Sequence, residues 1–168
     1  MKNLLMIFFL FGFLFFNNCV KNEKNEIVKI EEDKIEGQMI RAYQEGMTAF
    51  ENRLYLDAAK KFNEAEILFP QSEWAPRSAL MAAYSYYYDD YNNRAISELV
   101  NFFKKYPNDP NTSYAHYLLA MSYYNKIIDE KKDLEPLNDS KKQFEYIVEN
   151  YPNTEFSLDS KFKLDLIN

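Results

Sequence analysis

The feature that most constrains this chain is a spacing. Gly46, Ala83 and Ala120 stand 37 residues apart, and Phe50, Tyr87 and Tyr124 keep the same interval. Ala58 and Ala95 repeat it, as do Pro70 and Pro107. In the third unit the register slips, and Ser140 and Pro152 each lie 45 residues beyond their counterparts Ala95 and Pro107. Eight additional residues therefore fall between Tyr124 and Ser140. The sequence there, NKIIDEKKDLEPLND, is polar, contains proline and reads as a longer loop. Self-similarity at such a period means a stack of like units, none of which buries its apolar face alone. With only three glycines and no Val/Thr-rich alternating run, the composition argues against a β fold.

Each unit reads as two helices. The first carries the small residue Gly46, Ala83 or Ala120, where a neighbouring helix must come close. The second starts near Ala58, Ala95 or Ser140 and places a bulky residue four further on: Phe62, Leu99 or Phe144. It ends in an aromatic-proline pair, FP at 69–70 and YP at 106–107 and 151–152. Proline cannot continue a helix, because it lacks the N–H and disfavours α geometry in the residue before it. The following NDPNTS and PNTE offer capping groups for the next helix. A small residue facing a bulky one, repeated and closed by proline, resembles the tetratricopeptide pattern, although Trp74 lies in a connection. The expected fold is all-α: a tetratricopeptide-like α-solenoid of helix hairpins over residues 37–168. Its repeats cover about 38–70, 74–107 and 111–152, with the first helix of a fourth at 155–168. That last helix either caps the stack or belongs to a shortened form.

In a tetratricopeptide hairpin the first helix lines the concave side. Positions four and then three apart share one helix face. In the first unit these are Tyr43, Met47 and Phe50; in the second, Leu80, Tyr84 and Tyr87; in the third, Tyr117, Met121 and Tyr124. Side by side they make rows of rings and methionines, suited to a surface that grips a peptide. Tyr86 and Tyr123 are assigned to the core, Tyr88 to the rim and Tyr91 to the start of the next helix. The plain alternative is that all of these are helix–helix packing.

The N-terminus is a separate segment. Lys2 precedes an apolar run from Leu4 to Phe16, thirteen residues long. That is short of the ~20 residues of a membrane-spanning helix and fits a signal peptide over residues 1–18. The only cysteine, Cys19, follows directly, so an internal disulfide is impossible. It reads either as an ordinary small residue or, from its position, as a lipidated N-terminus. Asn18 stands where bacterial lipoprotein signals usually carry a small residue. Several acyl chains would hold the protein firmly on a bilayer. Residues 19–36 read as a charged tether, with a short helix allowed.

Catalysis is not indicated. His116 is the only histidine, so neither a metal site nor a His-based triad is expected. No Gly-rich phosphate loop is present, and no cofactor is expected. The net charge of −6 argues against a nucleic-acid partner.

LMAAYSYYY and YPNDPNTSYAHYLLAMSYY, within a stretch from residue 62 to 127 that continues as QFEYIVENYPNTEFSLDSKFKLDLIN, resemble the BamD family of outer-membrane β-barrel assembly lipoproteins. The resemblance covers roughly residues 38–168 and is joined by Cys19 and the tether. It implies a lipid-anchored scaffold on the periplasmic face of the outer membrane, with partners BamA, other Bam lipoproteins and unfolded outer-membrane proteins. Early repeats in that family are proposed to form the groove for unfolded segments. Later repeats contact BamA, and this chain stops within its fourth repeat. A different envelope adaptor, such as the Tol–Pal coordinator type or a peptidoglycan-linked lipoprotein, is the alternative.

Overall fold

The computed structural model describes residues 20–129 and 134–167. The signal-peptide run and Cys19 lie outside the described residues. The described elements are α1 (Val20–Glu51), α2 (Tyr55–Leu68), α3 (Trp74–Tyr88), α4 (Asn92–Lys105), α5 (Thr112–Asp129), α6 (Glu135–Asn150) and α7 (Glu155–Ile167). All are α-helices, and together they make the expected all-α stack: three hairpins, α1–α2, α3–α4 and α5–α6, followed by α7 as the first helix of a fourth. Contacts divide the chain into two units, residues 1–37 and 38–168. In the first, the described residues from Val20 belong to α1. The expected tether is therefore helical there, without a proline to break it and with Lys and Glu, good helix formers, throughout. The remainder of this section concerns the second unit.

The small-against-bulky pairing closes each hairpin. A Cβ added at Gly46 would meet two ring carbons of Phe62 at 2.8 Å. Ala83 shares a buried cluster with Leu99, and Ala120 one with Phe144. All five of these non-glycine residues, Phe62 included, are fully buried. The second helices stop where proline requires it. Phe69, Tyr106 and Tyr151 are their C-caps, each in a non-helical conformation before proline. The capping groups work as expected after the third hairpin, where Thr154 Oγ1 accepts the Ser157 N–H at 3.2 Å. Asp109 Oδ1 accepts the Asn111 N–H at 2.8 Å ahead of α5.

The first helices of hairpins one and two end alike. Arg53 and Asp90, 37 residues apart, both take positive φ, 61° and 58°. The Leu54 and Tyr91 N–H groups each bond the carbonyl five residues back, Ala49 and Tyr86, at 2.9 Å. Arg53 and Asp90 bond those three residues back. This is the Schellman ending without its usual glycine. The next equivalent position is Ile127, a β-branched residue for which positive φ is strongly unfavourable. α5 accordingly runs on to Asp129. The reading of residues 125–139 as a long loop is therefore corrected. Residues 125–129 extend α5, and 135–139 open α6, with Pro136 in its first turn, where its missing N–H costs nothing.

Adjacent hairpins are tied by one buried carboxylate. Glu66 of α2, 6% exposed, accepts hydrogen bonds at Oε1 from Lys105 Nζ and from the Tyr106 hydroxyl, both at 2.8 Å. Burial, then the adjacent Glu66 carboxylate, pushes the Tyr106 phenol well above its ordinary pKa.

Candidate functional site: an aromatic face on the first helices

The five tyrosines of YSYYYDDY separate by helix geometry. Tyr86 is buried with Ala59 and Ala95, and the Arg94 guanidinium lies over its ring at 5.6 Å. Tyr84 and Tyr88 lie on the other side of α3, Tyr87 lies between, also touching the Tyr86 cluster, and these three, with Tyr114, Tyr117 and Met121 of α5, line a cavity of about 210 Å³. Tyr88 is 48% exposed and forms its rim. Tyr91 precedes α4, but its ring is exposed and adds little to packing.

Four of the nine residues in the expected rows, Tyr84, Tyr87, Tyr117 and Met121, thus meet in one cavity. Tyr43 and Met47 line a different one, of about 370 Å³, with Ile40, Gln44, Thr48 and Trp74. Phe50 connects the two. It packs in one cluster with Tyr43 and Met47, and stacks on Tyr84 with centroids 5.4 Å apart and planes 18° apart. Tyr124 lines neither. It packs on Phe144 at 6.3 Å, and Lys163 Nζ of α7 lies 5.0 Å over its ring. Tyr117 is also held from α7, donating from its hydroxyl to Asp159 Oδ2 at 2.6 Å. Leu80, assigned to the same rows, is instead core, 7% exposed between Leu99 and Phe102.

Sequence reasoning missed several lining residues. Ile40 and Tyr114 occupy one repeat position, two periods of 37 apart, three residues before Tyr43 and Tyr117. Extending the rows one step back along the same helix face would have reached both. Trp74 is not in a connection; it begins α3. Its ring meets Tyr43 edge-on at 5.2 Å and carries the Arg77 guanidinium at 4.9 Å.

Burial governs the electrostatics of this face. It raises the phenol pKa of Tyr84 to about 12, the Tyr88 hydroxyl adding to the effect. Burial likewise raises Tyr43, Tyr87, Tyr114 and Tyr117. These rings are neutral at physiological pH, so the face offers hydroxyl donors and π surfaces. Among the described residues no group of three or more His, Cys, Asp or Glu is placed to hold a metal ion. His116 is a packing residue, stacked on Phe103 at 4.1 Å and hydrogen-bonded to Gln143 at 3.1 Å.

A stack of helix hairpins with a ring-lined face on its first helices defines a tetratricopeptide-like α-solenoid. The chain belongs to the family YfiO, described as outer membrane lipoprotein, whose pattern matches residues 35–168. It is similar to proteins named outer membrane protein assembly factor BamD from several bacteria. That of Rickettsia prowazekii is 34% identical over 126 residues, covering 75% of this chain and 50% of the relative. That of Caulobacter vibrioides is 31% identical over 150 residues, covering 89% and 48%. That of Neisseria gonorrhoeae is 27% identical over 132 residues, covering 73% and 49%. The chain spans about half the length of these curated relatives. Among the described residues no helix is long and apolar enough to cross a membrane.

Proposed function

We propose that this chain is a non-catalytic scaffold for assembling outer-membrane proteins, held by lipid on Cys19 at the periplasmic face of the outer membrane. Its role is to receive unfolded outer-membrane protein segments on the aromatic face and pass them to partners, BamA and other Bam lipoproteins. The assembly role is drawn from the name its relatives carry. The observation that carries the binding role is the cavity between α3 and α5, lined by five tyrosines. Unfolded barrel strands alternate aromatic and polar side chains and often end in an aromatic residue. Rings presented edge and face attract such residues by roughly 0.5–1.5 kcal/mol per pair beyond area burial. That strength permits release, which a hand-off requires. Beside the second cavity, Arg77 on the Trp74 ring supplies a cation for the carboxylate of a chain end.

The test is fluorescence anisotropy with a labelled barrel-strand peptide ending in phenylalanine. Tyr84→Ala with Tyr87→Ala should cost about 1–3 kcal/mol of binding, roughly 5- to 150-fold in affinity, with helix content by circular dichroism retained. Unchanged affinity in a folded double variant refutes the peptide-binding role. Failure of the lipid-anchored chain to co-purify with BamA refutes the partner assignment separately.

A further inference from the structure

The cavity between α3 and α5 has walls of one kind. Tyr84 meets Tyr88 and Tyr114 at steep angles, with ring centroids 4.7 and 6.2 Å apart and planes crossing at 69° and 61°. Tyr87 stands at 80° to Tyr88. Rings crossed in this way enclose a space instead of filling it as a stack would. At about 210 Å³ the space falls short of the ~300–1,000 Å³ of sites that hold a whole small ligand, so it suits one side chain. Tyr88, exposed at the rim, leaves a way in.

The hydroxyls narrow the choice of side chain. That of Tyr84 is hydrogen-bonded to those of Tyr88 and Tyr114. Each hydroxyl has one proton and two acceptor positions, so these bonds use most of the protons and leave most of the acceptors. Tyr117 gives its proton to Asp159. The wall is therefore short of donors. Among the described residues no basic side chain lines the cavity. The charged groups that act on its phenols are acidic, Asp90 on Tyr87 and Asp159 on Tyr117. A phenyl ring placed here would leave the acceptors unmet, and a carboxylate would face these two charges. A guanidinium answers each requirement: it is flat, always positive, and carries five N–H donors and no acceptor.

We propose that this cavity is an aromatic cage for an arginine side chain of the bound segment, held by cation–π contact with the tyrosine rings and by hydrogen bonds to their oxygens. This rests on the peptide-binding role above and adds a sequence preference to it: segments with arginine on the same strand face as their aromatic residue bind best. The experiment compares two versions of the labelled phenylalanine-ended peptide on the full chain in detergent. One carries arginine two or four residues before the phenylalanine, positions that share its strand face. The other carries citrulline there, which keeps the shape and loses the charge. Arginine should bind roughly 2- to 30-fold more tightly at one of these positions. The preference should persist in about 1 M sodium chloride, where the general attraction of a chain of net charge −6 for a cation is screened. Met121→Lys puts an ammonium of the chain's own into the cavity and should abolish the preference. The salt series needs no variant and decides the matter even if Met121→Lys does not fold. The cage is overturned by equal binding of the two peptides at both positions, by a preference lost at high salt, or by one that survives in folded Met121→Lys. In each of these cases the peptide-binding role stands; if neither peptide binds, both fall.

Discussion

Gly46→Ala tests the contact that closes the first hairpin. In an exposed helix this change stabilises by about 1 kcal/mol. Here the new methyl would lie 2.8 Å from two carbons of the Phe62 ring. That ring is fully buried and held edge-on by Tyr43 at 5.3 Å, so it has no free direction to yield. Overpacking of this kind costs about 1–3 kcal/mol, which outweighs the helix gain and leaves a net loss of roughly 1 kcal/mol. The second hairpin shows the relief: Ala83 faces Leu99, a smaller side chain, in the same relation. Phe62→Leu alone removes buried apolar volume and should also destabilise, by about 1 kcal/mol or more. Combined with Gly46→Ala it should recreate the Ala83–Leu99 fit. The double variant should then be more stable than the sum of the two losses predicts, by about 1–2 kcal/mol. Urea unfolding followed by circular dichroism measures all four corners of the cycle, provided the m-value is constant. The packing argument is refuted if Gly46→Ala raises stability by its full helix propensity and shows no coupling to Phe62→Leu.

Three further outcomes follow from individual contacts. Glu66→Ala removes the partner of the half-buried Tyr106 hydroxyl and should cost about 1 kcal/mol; Glu66→Gln, which keeps an acceptor, should cost less in the same unfolding assay. Burial against Phe103 lowers the His116 pKa below its ordinary 6.5, despite the hydrogen bond to Gln143. The unfolded chain then binds this proton first, so His116's contribution is complete above pH 6.5 and is lost as pH falls through the lower folded value. His116→Gln should flatten that part of the stability–pH curve. Arg53→Gly should retain or raise stability by up to about 1 kcal/mol, because φ of 61° suits glycine; a marked loss in thermal unfolding would mean that the Arg53 side chain is needed.

The stack was legible because its rules are local and repeated. Gly46, Ala83 and Ala120 opposite Phe62, Leu99 and Phe144 state which helices touch, and the aromatic-proline pairs state where each hairpin stops. The misreadings came from residues whose role depends on one dihedral angle or one neighbour. Residues 125–129 are polar enough for a loop, yet Ile127 cannot take the positive φ of Arg53 and Asp90, so α5 continues. Trp74, assigned to a connection from sequence, opens α3, whose first turn accommodates the proline two residues on.

The candidate site divided in the same way. Helical period alone placed Tyr84, Tyr87, Tyr117 and Met121 on shared faces, and they do line one cavity. Period cannot say what leans over a face from the next helix along. α3 supplies Trp74 beside Tyr43, and α7 supplies Asp159 and Lys163 over Tyr117 and Tyr124. The third row is thus partly occupied by the protein itself, and the rings free to meet a ligand concentrate between α3 and α5. A peptide bound there would lie against Tyr84, Tyr87 and Tyr88 before it met Tyr124. Alanine at Tyr124 should therefore loosen the seat of α7 and leave peptide affinity nearly unchanged, the reverse of alanine at Tyr84. Equal losses of affinity at the two positions would mean that the rows act as one continuous surface, and the division drawn here would fail.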